Sequence, residues 1–248
     1  MNVPSLQGRV ALVTGAGRNI GRAIALALAR EGARVGVNVR SNVAEGQSVA
    51  EEIGALGSEA LLVRADVTKR EEVDAMVTAL MARFGGIDIL VNNAAVRDED
   101  DFKAMPYAKW REAFDVTLDG AFHCTQAAFD ALCRSGAGSV INIGGLTAST
   151  GATGRAHVVA AKAGLAGLTR ALAHEFAPHG VTVNCVSPGL IDTTRPGAAP
   201  RHHAGKTSLV GRRGTPEEVA AAVAWLAGPG ARYVTGQTVH VNGGAYLG

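Results

Sequence analysis

Short apolar runs rich in β-branched residues alternate along the chain with longer stretches of helix-favouring composition. Arg9–Thr14, Arg34–Val39, Ala60–Ala65, Ile87–Asn92, Ser139–Ile143, Val181–Ser187 and Thr238–Val241 have the length and composition of strands. Ile20–Arg30, Val43–Leu56, Arg70–Phe84, Tyr107–Leu132, His157–Ala177 and Pro216–Ala227 lie between or beside them and predict helices. Near-continuous hydrophobic strands such as VALVT and IDILVNN fit a parallel sheet buried on both faces. Regular alternation then predicts an α/β fold, a doubly wound parallel sheet with helices on both faces and right-handed crossovers. No Pro/Ser linker or compositional break divides residues 1–248, so they read as one domain. The longest irregular stretch, about Asp192 to Gly214, is either a surface loop or a substrate lid.

Composition narrows this picture only at its edges. With 248 residues, 47% of them hydrophobic, the chain can bury one substantial core, and its 4% aromatic content means Ala, Val, Leu and Ile must build it. A net charge of +2 without a clustered basic field argues against nucleic-acid or membrane-surface binding. No apolar run approaches the roughly 18 residues that span a bilayer, so the cytoplasm is the expected compartment. Cys124, Cys133 and Cys185 show no metal-ligand or disulfide spacing and are expected to be buried thiols.

The first strand runs into Gly15-Ala16-Gly17-Arg18-Asn19-Ile20-Gly21 and then into the first helix. Such a turn brings backbone N–H groups close to a pyrophosphate at the positive end of a helix. Gly15 would allow the sharp turn and Gly21 the close approach of helix to sheet. The second strand ends in Val37-Asn38-Val39-Arg40-Ser41 without the acid that would accept a ribose 2′-OH. Arg40 and Arg18 could instead pair with a 2′-phosphate, which favours NADP over NAD.

These residues resemble the short-chain dehydrogenase/reductase family over essentially the whole chain. Thr14-Gly15-x-x-x-x-Ile20-Gly21 is similar to its TGxxxGIG turn, with Asn19 for the middle glycine. Asp66-Val67 resembles its adenine contact, and Asn92-Asn93-Ala94-Ala95 its NNAG with a final alanine. Ser187-Pro188-Gly189-Leu190-Ile191 looks like its PG turn beside the nicotinamide. Gly214-Thr215-Pro216-Glu217-Glu218-Val219 and Thr235-Gly236-Gln237 with Asn242-Gly243-Gly244 resemble its C-terminal signatures. The resemblance implies a Rossmann-type fold, a small-molecule substrate, a homotetramer or homodimer, and hydride transfer between nicotinamide and a carbonyl or alcohol carbon. It further implies cofactor contacts at Gly15, Arg18, Ile20, Gly21, Arg40, Asp66, Val67, Asn93, Lys162 and Ile191.

Its chemistry does not carry over so directly. The family uses a Tyr-x-x-x-Lys pair on one helix face, an upstream serine and an asparagine. Ala161-Lys162-Ala163-Gly164-Leu165 aligns with the lysine segment, yet Val158 stands where the tyrosine would be. The serine position falls on Gly145, and the asparagine segment reads Asp115-Val116-Thr117-Leu118-Asp119-Gly120. Neither Tyr107, Tyr233 nor Tyr246 precedes a lysine by four positions. A proton donor contributes about 10² to 10⁴ in rate, so carbonyl reduction by the family mechanism is expected to be severely impaired.

Replacements are few. His157 titrates in a suitable range, but adjacent helical positions are rotated by about 100°, so it is expected to point away from the lysine face. Thr147, Ser149 and Thr153 follow the serine position and read as pocket hydroxyls or as loop residues. Arg155 could bind a carboxylate or phosphate, and Arg97 with Asp98-Glu99-Asp100-Asp101 follows the NNAA turn. His202-His203 lack a third spaced ligand, so no metal is assigned. Two functions follow: an NADP-dependent oxidoreductase reducing an imine or other activated acceptor, or a nucleotide-binding protein without turnover that senses NADP(H) or serves as a partner subunit. A lyase or isomerase with a structural nucleotide is a third.

Overall fold

Four-residue apolar runs form strands here because both of their faces are covered. Every residue of β1 (Val10–Val13) and β4 (Ile89–Asn92) is buried, as is every residue of β5 (Ser139–Ile143) and β6 (Thr182–Pro188). The computed structural model describes residues 5–194, 203, 205 and 207–248. With β2 (Arg34–Val39), β3 (Ala60–Arg64) and β7 (Thr238–Val241), these strands form a seven-stranded sheet in the order β3-β2-β1-β4-β5-β6-β7. All pairings are parallel, with Ala11 opposite both Val35 and Ile89. The order reverses between β1 and β4, and the crevice beyond their carboxyl ends is where a doubly wound sheet places a ligand.

Helices cover the two faces. On one, α1 (Asn19–Arg30) packs against α9 (Pro216–Ala227), burying Ile24, Leu28, Val219, Val223 and Leu226 with Val13, Val35 and Ile141. On the other, α3 (Arg70–Phe84) and α8 (Ala156–Phe176) contribute Val73, Met76, Leu80 and Phe176 to a cluster with Leu12, Leu90 and Val140. Each fully buried Leu, Ile or Phe contributes about 1.5–3 kcal/mol. α2 (Val43–Ala55) is capped by Asn42, whose side chain accepts from the Glu45 N–H. α9 carries a capping box between Thr215 and Glu218.

The expected single helix over Tyr107–Leu132 is corrected to four pieces. α4 (Tyr107–Phe114) runs into a π-helical segment, Asp115–Asp119, followed by α5 (Gly120–Ala127) and α6 (Phe129–Arg134). Arg111 spans the wide turn, donating to Asp115 at 2.6 Å and Asp119 at 3.2 Å, while Thr117 is buried within it. A π segment adds a residue to the helical repeat and re-aims the side chains around it. A short helix α7 (Thr147–Thr150) after β5 also went unpredicted.

Cys124 and Cys185 are buried thiols, but Cys133 is only half-buried, because its face of α6 meets the edge of the core. No helix among the described residues is long and apolar enough to cross a membrane. Much of the irregular stretch, including Pro196, Pro200, His202 and Lys206, lies outside the described residues. Its ends are pinned: Ile191 bridges Gly214, and Asp192 N–H donates to the Gly214 carbonyl at 2.8 Å.

Candidate active site

Two adjoining depressions occupy the crevice at the switch point. The first is a groove of about 420 Å³ lined by Gly15, Gly17, Arg18, Asn38, Arg40, Glu45, Asp66, Val67 and Asn93. The second is a cleft lined by Ile20, Asn93, Arg97, Gly145, Thr147, Arg155, Val158, Lys162, Ile191 and His203, among others. Asn93, Ala95 and Arg97 border both, so the two are continuous. Of the ten residues expected to touch a dinucleotide, only Gly21 lines neither; it lies beneath the turn instead. A Cβ there would stand 2.2 Å from the Gly15 carbonyl oxygen, so nothing larger than hydrogen fits.

The groove's geometry starts from the turn after β1. Gly15 has φ +61, a left-handed conformation that glycine adopts without steric penalty. Asn19, at the position of a family glycine, has φ +50, and asparagine is among the few residues that tolerate it. Its side chain also exchanges hydrogen bonds with Thr194, donating at 3.1 Å and accepting at 2.9 Å, which glycine could not do. Asn93 donates from Nδ2 to the Thr14 and Gly15 carbonyls at 2.9 and 3.0 Å, and Thr14 Oγ1 accepts from the Asn93 and Ala94 N–H groups. Asn38 Oδ1 accepts from Gly15 N–H at 3.2 Å, and Asn38 Nδ2 donates to Ala65 O at 3.1 Å. These bonds tie β1, β2 and β4 together at the turn.

The groove fits a dinucleotide phosphate in one further respect. α1 (Asn19–Arg30) follows Arg18, which supplies no side-chain cap, and has no acid in its first turn; Arg18 brings this positive end of the helix dipole to the border of the groove. Arg18 and Arg40 flank it as expected. The structure adds an acid that the end of β2 did not reveal: Glu45, from the first turn of α2, lines the same groove, and a Cβ built on Gly17 would stand 3.4 Å from its carboxylate. Asp66 Oδ1 accepts from Thr68 N–H and Oγ1 at 3.0 and 2.8 Å, holding the carboxylate in its own turn.

In the cleft, one face of α8 presents Arg155, Val158 and Lys162, spaced by three and four positions. Lys162 is buried and its ammonium donates to the Ile143 carbonyl at the end of β5. Burial lowers its pKa to about 8; Cys185 acts in the opposite sense, and the charges of Arg97 and Arg155 lower it further. A polar relay seats α8 at this register: Asn92 donates to Asn142 at 2.9 Å, Asn142 to Thr169 at 2.9 Å, and Thr169 to the Leu165 carbonyl. Val158 is buried and carries no polar atom, and a Cβ built on Gly145 would meet nothing within 4 Å. Thr117 is buried in the π segment and does not line the cleft.

His157 is set apart. It is fully buried, lines neither depression, and neither ring nitrogen has a hydrogen-bond partner. Burial depresses its pKa, with Asp100 acting in the opposite sense. Its position, one residue off the Val158 stripe, follows from the 100° helical step. Thr147 lines the cleft; Ser149 and Thr153 do not. The cleft also includes His203, which the sequence places on the possible lid and to which it assigns no metal role. Its Nδ1 lies 3.0 Å from Arg213 Nη2, and since arginine only donates, Nδ1 accepts and the neutral ring carries its proton on Nε2. Among the described residues no group of three His, Cys, Asp or Glu could hold a metal.

A parallel sheet with this strand order, a glycine turn at its switch point and a lysine on the helix after β5 define a nucleotide-dependent class, and the chain belongs to the short-chain dehydrogenase/reductase family. The sequence profile described as Enoyl-(Acyl carrier protein) reductase matches residues 15–246. Among curated relatives, the 3-oxoacyl-[acyl-carrier-protein] reductase FabG of Staphylococcus aureus is 40% identical over 240 residues, 96% of this chain and 98% of that protein. The corresponding reductase of a Synechocystis species is 40% identical over 244 residues, 98% and 99% of the two chains. A short chain dehydrogenase from Burkholderia cenocepacia, solved in complex with NADP, superposes with a TM-score of 0.92 at 34% identity over 97% of this chain and 99% of that one. A dehydrogenase/reductase from Sinorhizobium meliloti gives 0.93 at 36% identity over 99% and 98%.

Proposed function

We propose that the protein is an NADP(H)-dependent oxidoreductase that works without the family's tyrosine and serine, on an imine or another acceptor already activated toward hydride. The observation that carries this reading is the cleft itself, where Lys162 is retained beside Val158 and Gly145. NADPH, when bound, supplies the hydride. The uncapped start of α1 would hold the pyrophosphate, Arg18 and Arg40 the 2′-phosphate, Asp66 and Val67 the adenine, and Lys162 the nicotinamide ribose with Ile191 against the ring. Glu45 lies in the same groove and opposes a 2′-phosphate, so the two arginines must outweigh it.

Proton logic follows from the lining. Hydride addition to C=N⁺ yields a neutral amine and no developing alkoxide, so no acid of the tyrosine type is needed. Val158, Ile143, Leu146 and Leu190 give the reacting carbon an apolar wall that excludes water. Lys162, with its pKa near 8, can exchange a proton near neutrality. Self-association as a homodimer or homotetramer belongs to the same proposal and is read by light scattering. Simultaneous departure at Val158, Gly145 and Thr117 favours a second reading, a nucleotide-binding protein without turnover. Incubating the protein with NADPH and a panel of imines, iminium ions and carbonyls separates the two: oxidation of NADPH above the no-enzyme rate with at least one acceptor supports the oxidoreductase, and tight NADPH binding with none supports the second.

A further inference from the structure

The cleft beside Lys162 is lined by cations and by no acid. Arg155 enters from the start of α8 and is 5% exposed, Arg97 enters from the segment after β4, and Lys162 lies between apolar walls. No Asp or Glu stands among the described residues that line it. Both arginines also interact with other groups of the protein. An anionic group on the ligand is therefore better matched to this lining than a further cation, because Arg155 and Lys162 are both buried there.

An acceptor that carries its own negative charge meets that preference. We infer that the cleft takes a small molecule bearing a carboxylate, held by Arg155 and Arg97, with its reducible C=N group directed toward Lys162. The planar guanidinium fork matches a carboxylate with two parallel hydrogen bonds. Arg155 lies on the same helix face as Lys162, two turns away, so an anion held there orients the attached carbon along the Val158 wall rather than out of the cleft. The apolar residues Ile143, Leu146 and Leu190 accommodate the remainder of a small substrate. The inference narrows the oxidoreductase reading and rests on it for the identity of the reacting group, but the anion site itself stands on the lining alone.

The test uses oxamate, which is planar, anionic and not reduced, against oxamide, its neutral counterpart. Binding is followed by calorimetry on the full chain, with and without NADPH, and NADPH affinity is measured separately. Oxamate is expected to bind at least about 10-fold more tightly than oxamide. Arg155→Gln is expected to weaken oxamate by about 10- to 100-fold while NADPH affinity changes less than twofold, with Arg155→Lys intermediate. Arg97→Gln, on an exposed segment, provides the second variant should Arg155→Gln fail to fold. Equal binding of oxamate and oxamide, unchanged oxamate affinity in both variants, or inorganic phosphate binding in preference to oxamate overturns the inference. Failure of NADPH to bind, with oxamate still bound by the cofactor-free protein, overturns the oxidoreductase reading and leaves the anion site standing.

Discussion

Val158 and Lys162 stand one turn apart on α8 and line the same cleft, the lysine buried with its ammonium on the Ile143 carbonyl and the valine presenting only methyl groups. A tyrosine at Val158 would put a phenol on the face that carries Lys162, and a serine at Gly145 would enter open space. The double variant Gly145→Ser/Val158→Tyr is expected to gain carbonyl reduction by about 10² or more over the parent. Steady-state assay with a carbonyl panel measures it, circular dichroism establishing that the variant is folded. A folded double variant with no gain would mean that the missing proton donor is not what limits carbonyl reduction.

Lys162 gives a stability signature. Burial holds its native pKa near 8 against an unfolded value near 10.5, so the unfolded chain binds more protons between those values and stability rises with pH across the window. Below about pH 8 the native lysine is charged, and its burial there costs the folded state stability. Lys162→Met is therefore expected to stabilise the cofactor-free protein at pH 7 by roughly 1–3 kcal/mol, an advantage that fades as pH rises from 8 to 10.5. Urea titrations of both proteins at pH 7 and 9.5 read the difference. An equal difference at both pH values would contradict a charged, buried lysine.

His157 makes the opposite case for a buried group outside the chemistry. Its native pKa is lowered by burial among Asp98, Asp100, Arg155 and Lys109, so the unfolded chain takes up a proton first as pH falls below about 6.5 and the native state loses stability. His157→Leu is expected to flatten this loss between pH 7.5 and 5 while leaving NADPH affinity within about twofold. Thermal melts across that range check it, and a variant as acid-sensitive as the parent would refute it.

Under the proposed assignment, Arg18 and Arg40 select NADP(H) over NAD(H). Arg40→Ala, and Arg18→Ala with it, are expected to weaken NADPH by about 10- to 150-fold and NADH by little, the size of losing charge-assisted hydrogen bonds. Glu45→Gln is expected to tighten NADPH alone. Fluorescence titration with the two nucleotides gives both ratios, and parallel losses for NADPH and NADH would exclude a 2′-phosphate contact.

The sheet was legible because its strands are buried on both faces and so announce themselves as unbroken apolar runs; β2, β5 and β7 fall where the sequence puts them. The glycine turn was legible for a local reason, the need for φ +61 at Gly15 and for no side chain at Gly21. What escaped depends on long-range geometry or on weak local signals. The π segment at Asp115–Asp119 contains no Pro or Gly to mark it, and only the Arg111 bonds to Asp115 and Asp119 reveal the wide turn. Glu45 reaches the groove from α2 and so lies near no motif, whereas His203 lines the cleft from the stretch the sequence offers as a loop or lid. The reading of Val158 and Gly145 as departures from the family pattern rests on the sequence resemblance, in which Lys162 sets the register.

The central claim, hydride transfer in a cleft without the tyrosine, is tested most directly by isotope transfer. NADPH deuterated at C4 is incubated with the protein and a panel of carboxylate-bearing imines and oxo acids, and the products are analysed by mass spectrometry. The expected result is deuterium in the new C–H bond of at least one product, at a rate above the uncatalysed one and lowered at least about 10-fold by Arg155→Gln. NADPH bound stoichiometrically with no deuterium transferred to any acceptor would contradict it.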